Sequence, residues 1–308
     1  MGVIRMLSVA TPRDAAIFTL GGVIFGFLTY IISGSVQPSW SRNEKLQSSP
    51  TAIFDGNSTK GCDTQEDDNS NDSKNQGLLV ITGASRGIGL AVAELFVKEG
   101  WQVLNLSRGK CPNNAVVTRQ IDLSHSDVEQ SLTKYIYEFI PEPRRICLVH
   151  NAATIFQDSA LSVDIKAMRN AFQLNVFTPA ILNKLISPLM SDGSSILYIG
   201  STLSEKGIPG RATYVSSKHA IAGLMKVTCQ DLKGRQIHTA CICPGFTATE
   251  MLVQHLHSSP SAYASILSMQ TMSRLIEPYE IANFLYFCAS NPSVNGGVLH
   301  CNLGQVER

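Results

Sequence analysis

The 308-residue chain has no run of basic residues and a formal net charge of only +1. Nucleic-acid binding needs clustered Lys and Arg, so that class of function is excluded. Its eight cysteines include no C-x-x-C pair, and no Cys or His group stands at zinc-site spacing, so no metal is expected. Cys241 and Cys243, two apart in the apolar run "TACICP", read as thiols on one face of a buried strand. No internal repeat is visible. Small-molecule chemistry is the class these absences leave.

Charge is also missing from residues 15–33, "AAIFTLGGVIFGFLTYIIS", 19 positions and enough to span a bilayer's hydrocarbon core. Residues 1–36 are therefore expected to be a single-pass membrane anchor, making the chain membrane-associated. The alternative is a targeting segment on a soluble, organelle-directed enzyme. Arg5 and Arg13 before the apolar run are matched by Arg42 and Lys45 after it, so the flanks set no orientation. Residues 37–76 hold the acidic cluster "DTQEDDNSND" and too few apolar residues to offset the entropy of ordering, which predicts a disordered polar linker.

From residue 77 to 308 the pattern changes. Short β-branched runs such as "LLVITG", "WQVLNLS" and "RRICLVHNAA" alternate with helical stretches. That alternation predicts a single α/β domain, a doubly wound parallel sheet of Rossmann type covered on both faces. Between the second and third strands only the short stretch Arg108 to Asn114 is available, and "GKCPNN" offers no helix. A loop crossover is expected in place of the helix that parallel strands normally need.

The turn after the first strand reads "ITGASRGIG". Gly83, Gly87 and Gly89 let backbone approach a pyrophosphate, and the following helix N-terminus offers it unpaired N–H groups. Sites that prefer NAD carry an acid about 20 residues later, at the end of the second strand. Here that end reads "VLNLSRG", without a carboxylate. Ser107 and Arg108, with Arg86 from the glycine turn, suit a 2′-phosphate, which favours NADP(H).

With Thr82 before it, the G-x-x-x-G-x-G spacing resembles the short-chain dehydrogenase/reductase family, and its 3-oxoacyl reductase-like members in particular. Further motifs follow in the family's order: "HNAA" at 150–153, Asn175 in "LNVF", Ser201, "YVSSK" at 214–218 and "CPGFTATEM" at 243–251. The resemblance implies that Thr82, Ser85 and Ile88 join the glycines around the cofactor. It places Asp122, with Leu123, at the adenine, and Asn151, Ala152 and Ala153 beside the adenosine, Ala153 standing where the family has glycine. Pro244 and Gly245 would turn the chain so that Thr247 and Thr249 reach the nicotinamide carboxamide.

Tyr214 and Lys218 stand four apart in an amphipathic helical stretch and so share a face, a phenol beside an ammonium. The resemblance makes Tyr214 the proton donor to a carbonyl oxygen and Lys218 the ammonium that supports it and reaches the nicotinamide ribose. Ser201 would stabilise the substrate oxygen, and Asn175 would hold a relay water. Taken singly, Ser201 also reads as a turn cap and Asn175 as a satisfied helix amide. His150 and His219 read as core or surface residues, not as bases.

The implied activity is NADPH-dependent reduction of a ketone, aldehyde or 3-oxoacyl carbonyl. Ile155, Phe156, Phe246, Leu252, Met269 and Met272 around the site suggest a hydrophobic small molecule. Two alternatives stand beside it: an NAD-dependent alcohol dehydrogenase on the same site, and a non-catalytic NADP(H)-binding sensor or scaffold. The resemblance also implies a homo-oligomer.

Overall fold

A stretch such as Leu78–Thr82, apolar almost throughout, forms a strand buried on both faces. The computed structural model describes residues 77–250, 252–253 and 260–306. Among them such runs form β1 (Leu78–Thr82), β2 (Gln102–Ser107), β4 (Ile146–His150), β5 (Ser195–Ile199) and β6 (His238–Pro244), while β3 (Val117–Gln120) and β7 (Gly297–Cys301) are less buried edge strands. They make one sheet in the order β3-β2-β1-β4-β5-β6-β7, and every pairing is parallel.

The helices are α1 (Gly87–Lys98), α2 (Val128–Phe139), α3 (Ile165–Phe172), α4 (Thr178–Ile186), α5 (Ala212–Asp231), α6 (Pro260–Ser268) and α7 (Pro278–Ser290). Alternation along the strands divides the core. Leu78 and Val80 pack with Leu132 and Ile136 of α2, Leu182 of α4 and Ile221 and Met225 of α5. Leu79 and Ile81 pack with Val92 and Phe96 of α1 and Ile281 and Leu285 of α7. This is the expected doubly wound α/β fold. The strand order reverses between β1 and β4, which opens a crevice beyond the carboxyl ends of the strands.

Residues 108–116 join β2 to β3 without a helix, as expected. Cys111 and Val116, both buried, turn inward there and extend the α1 face of the core. The membrane expectation is corrected. Among the described residues no helix is long and apolar enough to cross a membrane. Even α5, with 20 residues, carries Lys218, Lys226 and Asp231. The single-pass anchor and the membrane association drawn from it are withdrawn. Residues 1–36, including 15–33, and the linker 37–76 lie outside the described residues.

His150 closes β4 inside the core, with its ring 4.7 Å from that of Tyr198 and its Nε2 2.8 Å from Asn183 Oδ1. Burial pushes its imidazole down from 6.5 to about 4, against the partial opposition of the Asn183 bond. The folded chain therefore keeps His150 neutral where the unfolded chain protonates it. This contribution to stability is whole above pH 6.5 and is lost as pH falls towards 4. Urea unfolding at pH 7 and pH 5 is expected to show a loss of roughly 2 kcal/mol from this group. His150→Gln should shrink the loss by that amount; an unchanged loss would mean that other groups carry it.

Candidate active site

Beyond β1 the chain turns through Gly83 (φ 76°) and Gly87 (φ 57°), left-handed positions that favour glycine. A Cβ on Gly89 would collide with the Gly83 carbonyl oxygen and stand 2.6 Å from Asn151 Nδ2. The α1 N-terminus has no acidic residue in its first turn and no side-chain cap from Arg86, so its N–H groups are open to an anion.

This turn is held from β2 by Asn105, a residue that sequence reasoning missed. Asn105 Oδ1 accepts the Ala84 N–H at 2.9 Å, and its Nδ2 donates to Ser107 Oγ at 2.9 Å and Thr118 Oγ1 at 3.2 Å. The signal was there: a lone amide in an apolar strand must find buried partners. On the other side Thr82 Oγ1 accepts the N–H groups of Asn151 and Ala152 at 3.0 and 2.9 Å. Asn151 Nδ2 donates back to the Thr82 and Gly83 carbonyls at 2.9 and 3.1 Å.

A cleft of about 850 Å³ lies over these turns. Arg86, Ser107, Arg108, Asp122 and Leu123 line it by β2 and β3, and Gly83, Ser85, Gly87, Ile88, Asn151, Ala152 and Ala153 line its centre. By β5 and β6 it is lined by Ser201, Tyr214, Lys218, Pro244, Gly245, Thr247 and Thr249. Thr82, Gly89 and Asn175 are not on its wall; their neighbours Asn151, Gly83 and Thr154 are. Ala167, Asn170, Ala171 and Leu174 also line it and were missed. Their spacing marks one helix face, but small and polar types there read as solvent-facing.

Arg86 Nη1 lies 3.9 Å from Glu250 Oε2, with both side chains more than half exposed, so the pair is weak. The Ser107 hydroxyl donates to the Gly109 carbonyl at 2.6 Å. Asp122 Oδ1 accepts the Ser124 hydroxyl at 2.7 Å and its N–H at 2.9 Å. Those two bonds, then the Arg108 charge, hold the Asp122 carboxyl below its ordinary value.

At the other end Lys218 Nζ stands 5.5 Å from the Tyr214 ring centroid and donates to the Ile199 carbonyl at 2.7 Å. Lys218 is buried, and two of its three donors are left for other partners. Ser201 does cap a turn: its Oγ accepts the Leu203 N–H at 3.1 Å, and Ser204 Oγ accepts the Ser201 N–H at 3.1 Å. Accepting a bond leaves the Ser201 hydroxyl proton available, so capping and a cleft role coexist.

Asn175 sits in a π-helical turn, Gln173–Phe177, between α3 and α4. Its Oδ1 accepts the Thr154 N–H at 2.9 Å, and its Nδ2 donates to the Thr154 carbonyl at 3.1 Å and Ser217 Oγ at 3.0 Å. The side chain therefore ties the Thr154 loop to α5. Asp158, also missed, accepts the Thr213 N–H at 3.0 Å and so fastens the N-terminus of the helix that carries Tyr214.

Residues 83–305 match the family model described as enoyl-(acyl carrier protein) reductase. Protein FixR of Bradyrhizobium diazoefficiens is 28% identical over 246 residues, 74% of this chain and 86% of that protein. A 3-oxoacyl-[acyl-carrier-protein] reductase of Synechocystis sp. is 28% identical over 247 residues, 74% of this chain and 96% of that protein. Among solved structures, ligand-free aldohexose dehydrogenase of Thermoplasma acidophilum matches with a TM-score of 0.68 at 25% identity, covering 74% of this chain and 93% of that one. The chain belongs to the short-chain dehydrogenase/reductase family, with the 3-oxoacyl reductase-like members, and is an oxidoreductase of that family.

Proposed function

We propose that the chain is an NADPH-dependent carbonyl reductase in which Tyr214 gives its proton to the substrate oxygen. The observation that carries this reading is one cleft with two kinds of end. A phenol, a buried ammonium and a hydroxyl stand at one; two guanidinium groups, with no carboxylate at the end of β2, stand at the other. The glycine turn fits a dinucleotide, because Gly83, Gly87 and Gly89 keep side chains away from the uncapped start of α1. A bound nicotinamide would supply the hydride.

Each residue then has a defined task. The Ser201 hydroxyl donates to the substrate oxygen and stabilises the negative charge that develops on it. Tyr214 delivers the proton to that oxygen, and Lys218, fixed by the Ile199 carbonyl, supports the charge left on the phenol. Its two remaining donors suit ribose hydroxyls. Arg108 and Arg86 hold the 2′-phosphate; Ser107, already bonded to Gly109, contributes less than its position in sequence suggested. Ile155, Phe156, Phe246 and Leu252 make the substrate end apolar. The name of the Synechocystis relative supports an oxo compound as substrate.

The test is cofactor oxidation by the full chain with ketones, aldehydes and 3-oxoacyl thioesters. NADPH is expected to be used with a KM at least about tenfold below that of NADH. Arg108→Ala should raise the NADPH KM roughly tenfold and leave the NADH value unchanged. A preference for NADH would overturn the cofactor assignment. Tight cofactor binding with no turnover on any substrate would favour a sensor.

A further inference from the structure

Two buried thiols lie directly beneath the turn that carries Ser201. Cys241 and Cys243 occupy one face of β6, both fully buried, with their sulfurs 3.9 Å apart. A Cβ on Gly200 would stand 2.7 Å from Cys241 Sγ, 2.8 Å from Cys243 Sγ and 2.9 Å from Ser204 Oγ. The turn from Gly200 to Ser204 therefore rests on the two sulfurs, and only glycine permits so close a seat.

The Cys243 sulfur lies under Gly200 beside Ser204, whose Oγ accepts the Ser201 N–H across the turn. The Cys241 S–H directed at it pulls the Cys243 thiol below its ordinary value, and the same contact pushes Cys241 up. The far end of the turn is tied as well: His300, the register partner of Cys243 on β7, lies with Nε2 2.7 Å from Glu205 Oε2. The cap between Ser201 and Ser204 fixes the turn's internal shape. It does not fix the height of the turn above the sheet, and the sulfur does.

We infer that Cys243 is a positioning residue for Ser201, its sulfur seating the Gly200–Ser204 turn so that the Ser201 hydroxyl stands at the cleft. The inference rests on the carbonyl-reductase reading, in which Ser201 meets the substrate oxygen. Its test uses the full chain, NADPH and the carbonyl compound turned over fastest. Cys243→Ala is expected to lower kcat roughly tenfold, as the turn settles into the space the sulfur leaves and the hydroxyl is displaced, with NADPH affinity unchanged. Cys243→Ser, which keeps an atom in the sulfur's place under Gly200, should restore most of that rate.

In a Ser201→Ala background, Cys243→Ala should have no further effect, because the group it positions is gone. His300→Gln, on the partly exposed tie, keeps the test readable if Cys243→Ala does not fold; its severalfold loss of kcat should be masked by Ser201→Ala in the same way. Multiplicative losses in the double variants, or equal losses in Cys243→Ala and Cys243→Ser accompanied by weaker NADPH binding, would overturn the inference alone. A Ser201→Ala variant with normal kcat would overturn the underlying reading, and this inference with it.

Discussion

Tyr214→Phe is expected to lower kcat by about a thousandfold while changing NADPH affinity by less than about twofold. The substitution removes one oxygen and keeps the ring over which Lys218 Nζ stands at 5.5 Å, so the helix, the ammonium and the cleft wall are retained. What is lost is the only proposed source of a proton for the substrate oxygen. General acids of this kind contribute about a hundred- to ten-thousandfold to rate, and the loss falls on the chemical step and not on binding. Steady-state kinetics beside a cofactor fluorescence titration separates the two. Normal turnover in Tyr214→Phe would sink the mechanism; lost cofactor binding would assign Tyr214 to the cofactor instead.

The parts of this site that were legible in the sequence are those set by local chemistry. Glycines at 83, 87 and 89 announce a backbone approach: the first two take left-handed φ and the third leaves no room for a Cβ. The missing crossover helix could be read because residues 108–116 are too few to form one. Tyr214 and Lys218 were legible as a pair from helical spacing, and as a site only with Ser201 and the glycine turn beside them. The illegible residues are those whose role depends on partners far along the chain. Asn105 supports a turn 21 residues earlier, and Asp158 caps a helix 55 residues later. The π-helical turn at Asn175 has no sequence signature, because its residues are ordinary ones and tertiary packing selects its register. The membrane expectation failed for the converse reason: it rested on the hydropathy of one segment, and no described helix carries it further.

Gly89→Ala is expected to weaken NADPH binding by at least about a hundredfold and to cost about 1–3 kcal/mol of stability, the range for a side chain forced into a packed site. The added Cβ meets the Gly83 carbonyl and, at 2.6 Å, Asn151 Nδ2, neither of which is the free end of a flexible side chain. One of two things must yield. Either α1 moves away from the glycine turn, spoiling the N-terminal N–H array, or Asn151 gives up its bonds to the Thr82 and Gly83 carbonyls and loosens the "HNAA" turn. Both moves fall on the centre of the cleft. Two other glycines calibrate the effect. A Cβ on Gly87 meets nothing closer than the Thr249 methyl at 3.3 Å, so its substitution costs mainly the left-handed backbone, about 1 kcal/mol. Gly223, inside α5, has nothing within 4 Å, and Gly223→Ala should stabilise the helix by about 0.5–1 kcal/mol. Thermal melts and fluorescence titrations of the three variants rank them. Wild-type affinity in Gly89→Ala would refute the view that this glycine exists to bring helix and turn together around a phosphate.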